Sequence, residues 1–357
     1  MKWSDILTII SGKNQKGVAS EDGEYYIYGS GGIIGRANDY LCPANTVIVG
    51  RKGTINHPLY VTEPFWNIDT AFGVVAGEEL LPKFLYYFCL QFNFKELDKS
   101  TGRPSVSKAD LLKIEMPIPN IEEQARIVSR IEELFSELDK GVETLQVIKE
   151  QLAVYRQAVL KMVFASMNER KSIQEVSSLV TSGSRGWAKY YNEKGVRFIR
   201  ITDLTRDKIK LKNNAIQRVL LPEGVEGKRS RLQGNDVLIS ITADLGSIAL
   251  VPEDVEEAYI NQHIAVVRFV NSHQGEFMAW YLKSDYGQKE LLRNKRGGGK
   301  LGLGLDDIRN TLVPIVSDEV ADEVVSEIES RMSVCDSIEQ IVGTALSQTE
   351  AMRQSIL

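Results

Sequence analysis

Basic side chains in this chain recur beside glycine. Lys13-Asn14-Gln15-Lys16-Gly17, Gly50-Arg51-Lys52-Gly53, Lys228-Arg229-Ser230-Arg231 and Arg293-Asn294-Lys295-Arg296 are the clearest cases. Gly29-Ser30-Gly31-Gly32-Ile33-Ile34-Gly35-Arg36 is glycine-rich beside tyrosines. Ser100-Thr101-Gly102-Arg103-Pro104-Ser105-Val106-Ser107-Lys108 mixes hydroxyls with cations, and Arg293 to Lys300 holds the corresponding place later in the chain. Glycine lets backbone approach a phosphate closely, Arg and Lys neutralise it, and an Arg fork can read guanine in a major groove. These loops therefore suit binding of a polyanion. The formal net charge of −5 argues against indiscriminate nucleic-acid attachment. Much of the acid is gathered in residues 119–143 and 317–330, however, which leaves the cations elsewhere free to act.

No pattern for covalent chemistry survives inspection. Gly29 to Gly35 has the wrong spacing for a dinucleotide fingerprint and opens no strand-to-helix unit. Gly297-Gly298-Gly299-Lys300 is followed by Leu301, not the Ser or Thr of a phosphate-binding P-loop. No Asn-Pro-Pro-aromatic tetrapeptide for amino-methyl transfer occurs. The carboxylate pairs Glu96/Asp98 and Glu137/Asp139 read as solvated helix faces. His57, His263 and His273 are isolated, His263 stands where the first copy has Ala71, and Cys42, Cys89 and Cys335 show no metal or disulfide spacing. No catalytic residue, metal site or resident cofactor is expected. No apolar run approaches the ~18 residues of a membrane span, and the start is no signal peptide, so the chain reads as cytoplasmic without a membrane partner.

The elements that position the loops repeat. From Asp110 and Asp307 to the end, two segments match without a gap at an offset of 197, so that Asp139 falls on Asp336 and Arg156 on Arg353. Earlier matches sit at smaller offsets: Ile10-Ser11-Gly12 with Thr181-Ser182-Gly183, and the strand-like run Asn67–Val75 with Tyr259–Val267 at 192. Insertions in a repeat map to loops. From Ile121 to Phe164 there is no proline, and apolar residues recur on a heptad beat: Ile131, Leu138, Leu145, Leu152, Val159 and Val128, Phe135, Val142, Val163. Asn120 can cap this helix, and Pro117 and Pro119 set its start. The second copy carries a poorer seam, with Arg353 in the place of Arg156. The expected architecture is α+β and pseudo-twofold symmetric. Two similar domains, 1–116 and 168–316, alternate with two long helices, 117–167 and 317–357, that pair antiparallel as an intramolecular coiled coil.

Gly29 to Gly35, Val47-Ile48-Val49-Gly50-Arg51-Lys52-Gly53 and Phe65-Trp66-Asn67-Ile68-Asp69-Thr70-Ala71-Phe72 together resemble the first target-recognition domain of a type I restriction–modification specificity subunit. Pro117-Ile118-Pro119, Glu122-Glu123-Gln124 and Ile127-Val128 resemble the start of that family's helical spacer. The resemblance spans essentially the whole chain and is strongest over residues 29–164. It implies a non-catalytic DNA-recognition subunit. Each domain would read one half of a split double-stranded DNA target, with the helices setting the spacing. The implied partners are two methyltransferase subunits, which would carry the S-adenosylmethionine, and motor-nuclease subunits. The DNA contacts it implies are Lys13, Lys16, Arg36, Arg51, Lys52, Thr101 and Arg103 in the first domain, and Arg185, Trp187, Lys295, Arg296 and Lys300 in the second. For a Lys, phosphate contact is the expected role. The competing reading is a non-DNA coiled-coil scaffold with duplicated ligand-binding heads.

Overall fold

The computed structural model describes residues 1–221, 230–293 and 302–357. It divides into two compact units, Met1–Leu145 with Thr344–Leu357, and Gln146–Gly343. Each unit is a small mixed head together with part of both long helices. Among the described residues no helix is long and apolar enough to cross a membrane.

The head of the first unit contains seven strands: β1 (Leu7–Ser11), β2 (Tyr25–Gly29), β3 (Gly32–Ala37), β4 (Thr46–Gly50), β5 (Leu59–Val61), β6 (Phe65–Asn67) and β7 (Ala71–Ala76). One sheet has the order β1-β7-β4-β5 and is antiparallel throughout. The other has the order β3-β2-β6, with β2 and β6 parallel. Every residue of β4 is buried. Val47 and Val49 join Trp3, Phe72, Val74, Leu85 and Phe94 in one cluster, and Ile48 joins Cys42, Phe65 and Ala71 in another. A strand covered on both faces reads as an unbroken apolar run rather than an alternating one.

The head of the second unit repeats this plan. Its strands are β8 (Arg170–Ser172), β9 (Ser177–Ser182), β10 (Tyr191–Asn192), β11 (Val196–Ile199), β12 (Gln217–Val219), β13 (Val237–Ser240), β14 (Ile248–Leu250), β15 (Ala258–Ile260), β16 (Ile264–Phe269) and β17 (Leu312–Pro314). The order β9-β16-β13-β14 reproduces β1-β7-β4-β5, and the parallel pair β11/β15 reproduces β2/β6. The fold is α+β with an internal repeat.

The first long helix runs Ile121–Phe164 and the second Asp318–Ile356. At 1.5 Å per residue the first extends for about 66 Å. Asn120 caps it, its side-chain oxygen accepting from the Glu123 amide at 2.8 Å. Buried Gln124 docks it on the head: its amide oxygen accepts from Leu81 N at 2.8 Å, and its nitrogen donates to Glu79 and Pro119 carbonyls. The repeat has Ala321 in that place, packed in apolar contacts instead.

The two helices pair antiparallel within each unit. In the first, Arg353 bonds Asp139 and its guanidinium lies over the Phe135 ring at 4.7 Å. In the second, Arg156 donates to Asp336 at 2.6 Å and Glu339 at 3.0 Å. These are the same two repeat positions with their roles exchanged. The seam follows the heptad beat apart from one step, where Ile148 turns inward and Lys149 is exposed.

Lys283 is buried in the second unit and donates to the Thr205 and Lys208 carbonyls at 3.1 and 2.8 Å. Burial pushes its pKa down from 10.5 to about 8. Between those values the unfolded chain binds the extra proton, so stability rises with pH across the window and is lost again as pH falls through 8. The unfolding free energy of the wild type, measured against Lys283→Met, is expected to climb from pH 8 to pH 10. A flat difference would contradict the burial.

Candidate nucleic-acid interface

At one end of the first head, two turns and two loop segments converge on Thr70. Its carbonyl accepts from the amides of Arg51 at 2.8 Å and Lys52 at 3.2 Å, and its hydroxyl accepts from Ser30 N at 3.3 Å. The Ser30 hydroxyl donates to the Lys52 carbonyl at 2.8 Å. Gly53 N donates to Pro104 O and Val106 N to Arg51 O, which ties the 101–105 loop to the basic turn. Lys13 N donates to Asn67 O at 2.9 Å, and the Trp66 indole donates to Lys13 O at 3.1 Å.

Two glycines make this approach possible. A Cβ on Gly12 would lie 1.8 Å from Ile68 O. Gly53 has φ +86°, where L side chains are strained, and the Arg103 guanidinium occupies the space its Cβ would take. Asp98 closes the loop by accepting from Ser100 N, the Ser100 hydroxyl and Ser105 N, which hold its carboxyl below the usual range. Expected as part of a solvated helix face, Asp98 is instead the organiser of that loop, because it lies just beyond the short Phe94–Leu97 helical turn.

The structure thus brings Lys13, Arg51, Lys52 and Arg103 around one turn, with Thr101 exposed on the adjoining loop. Lys16 is exposed on the Asn14 turn. Arg36 is placed apart from them. It pairs with Tyr26 in register, about 13 Å along β3 from the Gly32 turn. Its guanidinium donates to Gly23 O and Tyr26 Oη and stacks on the Tyr26 ring.

The second head carries the same frame. The Ile241 amide donates to His263 O as Arg51 does to Thr70 O, and Gly183 N donates to Ile264 O as Gly12 does to Ala71 O. A Cβ on Gly183 would lie 2.1 Å from Ile260 O. The Thr242/Gly302 bridge matches Lys52/Ser105. These pairings correct the repeat register by one residue, from 192 to 193: His263 stands where Thr70 stands, not Ala71. The expected strands Asn67–Val75 and Tyr259–Val267 are each two strands broken by a turn, at 68–70 and 261–263. Runs rich in β-branched residues match almost equally well at neighbouring offsets, and only the polar turn fixes the register.

Around this second frame lies an open cleft of about 620 Å³, lined by Ser182, Gly183, Ser184, Arg185, Thr242, Gln262 and His263. Arg185, expected as a DNA contact, lies on this cleft. Trp187 is not available for contact: it is 5% exposed and packs with Phe198, Val219 and Tyr259, because an indole beside three apolar side chains gains more from burial. Lys295, Arg296 and Lys300 lie outside the described residues. Ser30, Thr70, Thr242, Gln262 and His263 also belong to these two frames, and the sequence did not single them out for it. Their signal was the polar interruption, Asp69-Thr70 and Asn261-Gln262, inside runs read as strand. Among the described residues no cluster of His, Cys, Asp or Glu could hold a metal ion.

Comparison with known proteins places the repeat in a family. A family described as "Type I restriction modification DNA specificity domain" matches residues 1–150 and again 170–340. The chain belongs to this family. The type I restriction enzyme EcoBI specificity subunit of Escherichia coli is 24% identical over 344 residues, covering 87% of this chain and 72% of the relative. The MjaVIII specificity subunit of Methanocaldococcus jannaschii is 23% identical over 354 residues, covering 91% and 78%. Among solved structures, a chain from work on complex assembly and conformational transition of the type I R-M system matches with a TM-score of 0.76 at 16% identity, covering 100% of this chain and 95% of that one. The HsdS subunit from Thermoanaerobacter tengcongensis matches with a TM-score of 0.57 at 15% identity, covering 100% and 94%. The type I specificity fold is thus present along the whole chain.

Proposed function

We propose that this chain is the sequence-reading subunit of a type I restriction–modification complex, each head reading one half of a split double-stranded DNA target. The observation that carries this reading is one backbone frame, built twice and lined differently. In the first head the frame presents Lys13, Arg51, Lys52 and Arg103, and in the second Ser184, Arg185, Thr242, Gln262 and His263. A common frame holds the loops in a fixed pose against the phosphates, and the changed side chains change the bases chosen. The long helices set the spacing and dock two methyltransferase subunits that bring S-adenosylmethionine, and motor-nuclease subunits complete the enzyme. Val147, Val154, Val334 and Ile341 support docking: these exposed apolar side chains on the two helices belong against a partner protein.

The test is a complex reconstituted with the methyltransferase subunits and footprinted on DNA at moderate salt. Protection of one split sequence is expected, and protection of none overturns the reading. In the same assay, replacing Arg51, Lys52 and Arg103 by Ala is expected to flatten the dependence of log K on log salt by about 2 to 3, at roughly 0.9 per lost phosphate contact. An unchanged slope would remove this cluster from the interface.

A further inference from the structure

The turn that replaces Asp69-Thr70 in the second head is Gln262-His263. Its side chains form a chain of hydrogen bonds. His263 Nδ1 is 2.6 Å from the Thr242 hydroxyl, and His263 Nε2 is 2.8 Å from the Gln262 amide nitrogen. The His263 amide donates to Asn261 Oδ1 at 3.1 Å, and the His263 carbonyl accepts from Ile241 N at 3.0 Å, so the backbone that carries the imidazole is held as well. With the Gln262 nitrogen donating to Nε2, the ring carries its proton on Nδ1 and donates it to Thr242. The imidazole thereby fixes the amide. One amide hydrogen is spent on the ring. The carbonyl oxygen and the second hydrogen remain, on a residue that lines the open cleft.

A fixed carbonyl beside a fixed N–H is the complement of one base edge. Adenine presents an N6 amino donor next to an N7 acceptor in the major groove, and a Gln amide meets both at once. Guanine offers two acceptors there and clashes with the amide oxygen. We infer that Gln262, positioned by His263 and Thr242, reads an adenine in the half-site bound by the second head. This rests on the proposed function and goes beyond it by assigning one base to one side chain. His263 and Thr242 are positioning residues, since they act through the amide.

The experiment co-expresses the full chain with its methyltransferase subunits in a host free of adenine methylation and maps every modified site. The wild type is expected to give one split motif with adenine required at a defined position of one half. Gln262→Ala is expected to relax that position alone, by roughly 10- to 100-fold in the ratio of preferred to other bases, with the other half unchanged. Gln262→Glu keeps the size but cannot donate to N7, so it too is expected to lose the adenine preference. It serves if the alanine variant fails to assemble. His263→Ala is expected to relax the same position less. A wild-type complex without a defined motif overturns the function itself. A defined motif that survives both Gln262 substitutions overturns only this assignment.

Discussion

Replacing Gly12 or Gly183 by alanine is expected to destabilise its unit by on the order of 3 kcal/mol, the upper range for forcing a methyl into a packed site. The added carbon would sit 1.8 Å from the Ile68 carbonyl oxygen in one case and 2.1 Å from that of Ile260 in the other. The obstacle is backbone, which cannot rotate aside as a side chain can. Either the first or last strand of the sheet parts, breaking the Gly12 N to Ala71 O bond, or the 68–70 turn moves and takes the Arg51 and Lys52 amides with it. Stability and DNA binding should therefore fall together. Denaturant unfolding checks the first and footprinting the second. Gly141→Ala is the control: no atom lies within reach of its Cβ, and a helical alanine should add about 0.5–1 kcal/mol. Equal effects at Gly12 and Gly141 would refute the close approach.

Arg156→Ala is expected to cost about 3 kcal/mol, whereas Arg353→Ala, at the equivalent repeat position, costs about 1 kcal/mol or less. Burial decides between them. The Arg156 side chain is 10% exposed and bonds two carboxylates, Asp336 and Glu339, while also touching the Met332 sulfur. Removing it leaves a hole in the seam and one carboxylate, Glu339, without its cation. Asp336 keeps Lys208 at 3.2 Å, which caps the loss. Arg353 is 33% exposed, and its partner Asp139 is 64% exposed, so water replaces most of that pair. Unfolding free energies of the two single variants give the answer, and equal losses would show that burial is not what separates them.

The long helices were legible because each carries dozens of residues on one period, with Asn120 and the prolines marking a start. The heptad beat even foretold that Arg156 and Arg353 would face the seam, though not that only Arg156 would be engulfed. The heads were legible as a class and less so in detail. Val47, Ile48 and Val49 announce a buried strand, but Asn67 to Val75 conceals a turn between two strands that belong to different sheets. Charge drew attention to Arg51, Lys52 and Arg103, which do converge. It also drew attention to Arg36, whose guanidinium is occupied by Tyr26 and Gly23. Gln262, His263 and Thr242 carry no such flag. The role proposed for them rests on hydrogen bonds that form only once the chain has folded.

The Asp139/Arg353 and Arg156/Asp336 contacts have an implication for origins. A single repeat already owns both halves of this clasp, since Asp139 and Arg156 lie on one helix. The clasp itself is indifferent to whether its other half belongs to the same polypeptide or to a duplicate. A homodimer of one repeat would have identical clefts and would suit a palindrome. Under the proposed function, joining the two copies in one chain would let Asp69-Thr70 and Gln262-His263 differ, and with them the two halves of a non-palindromic target.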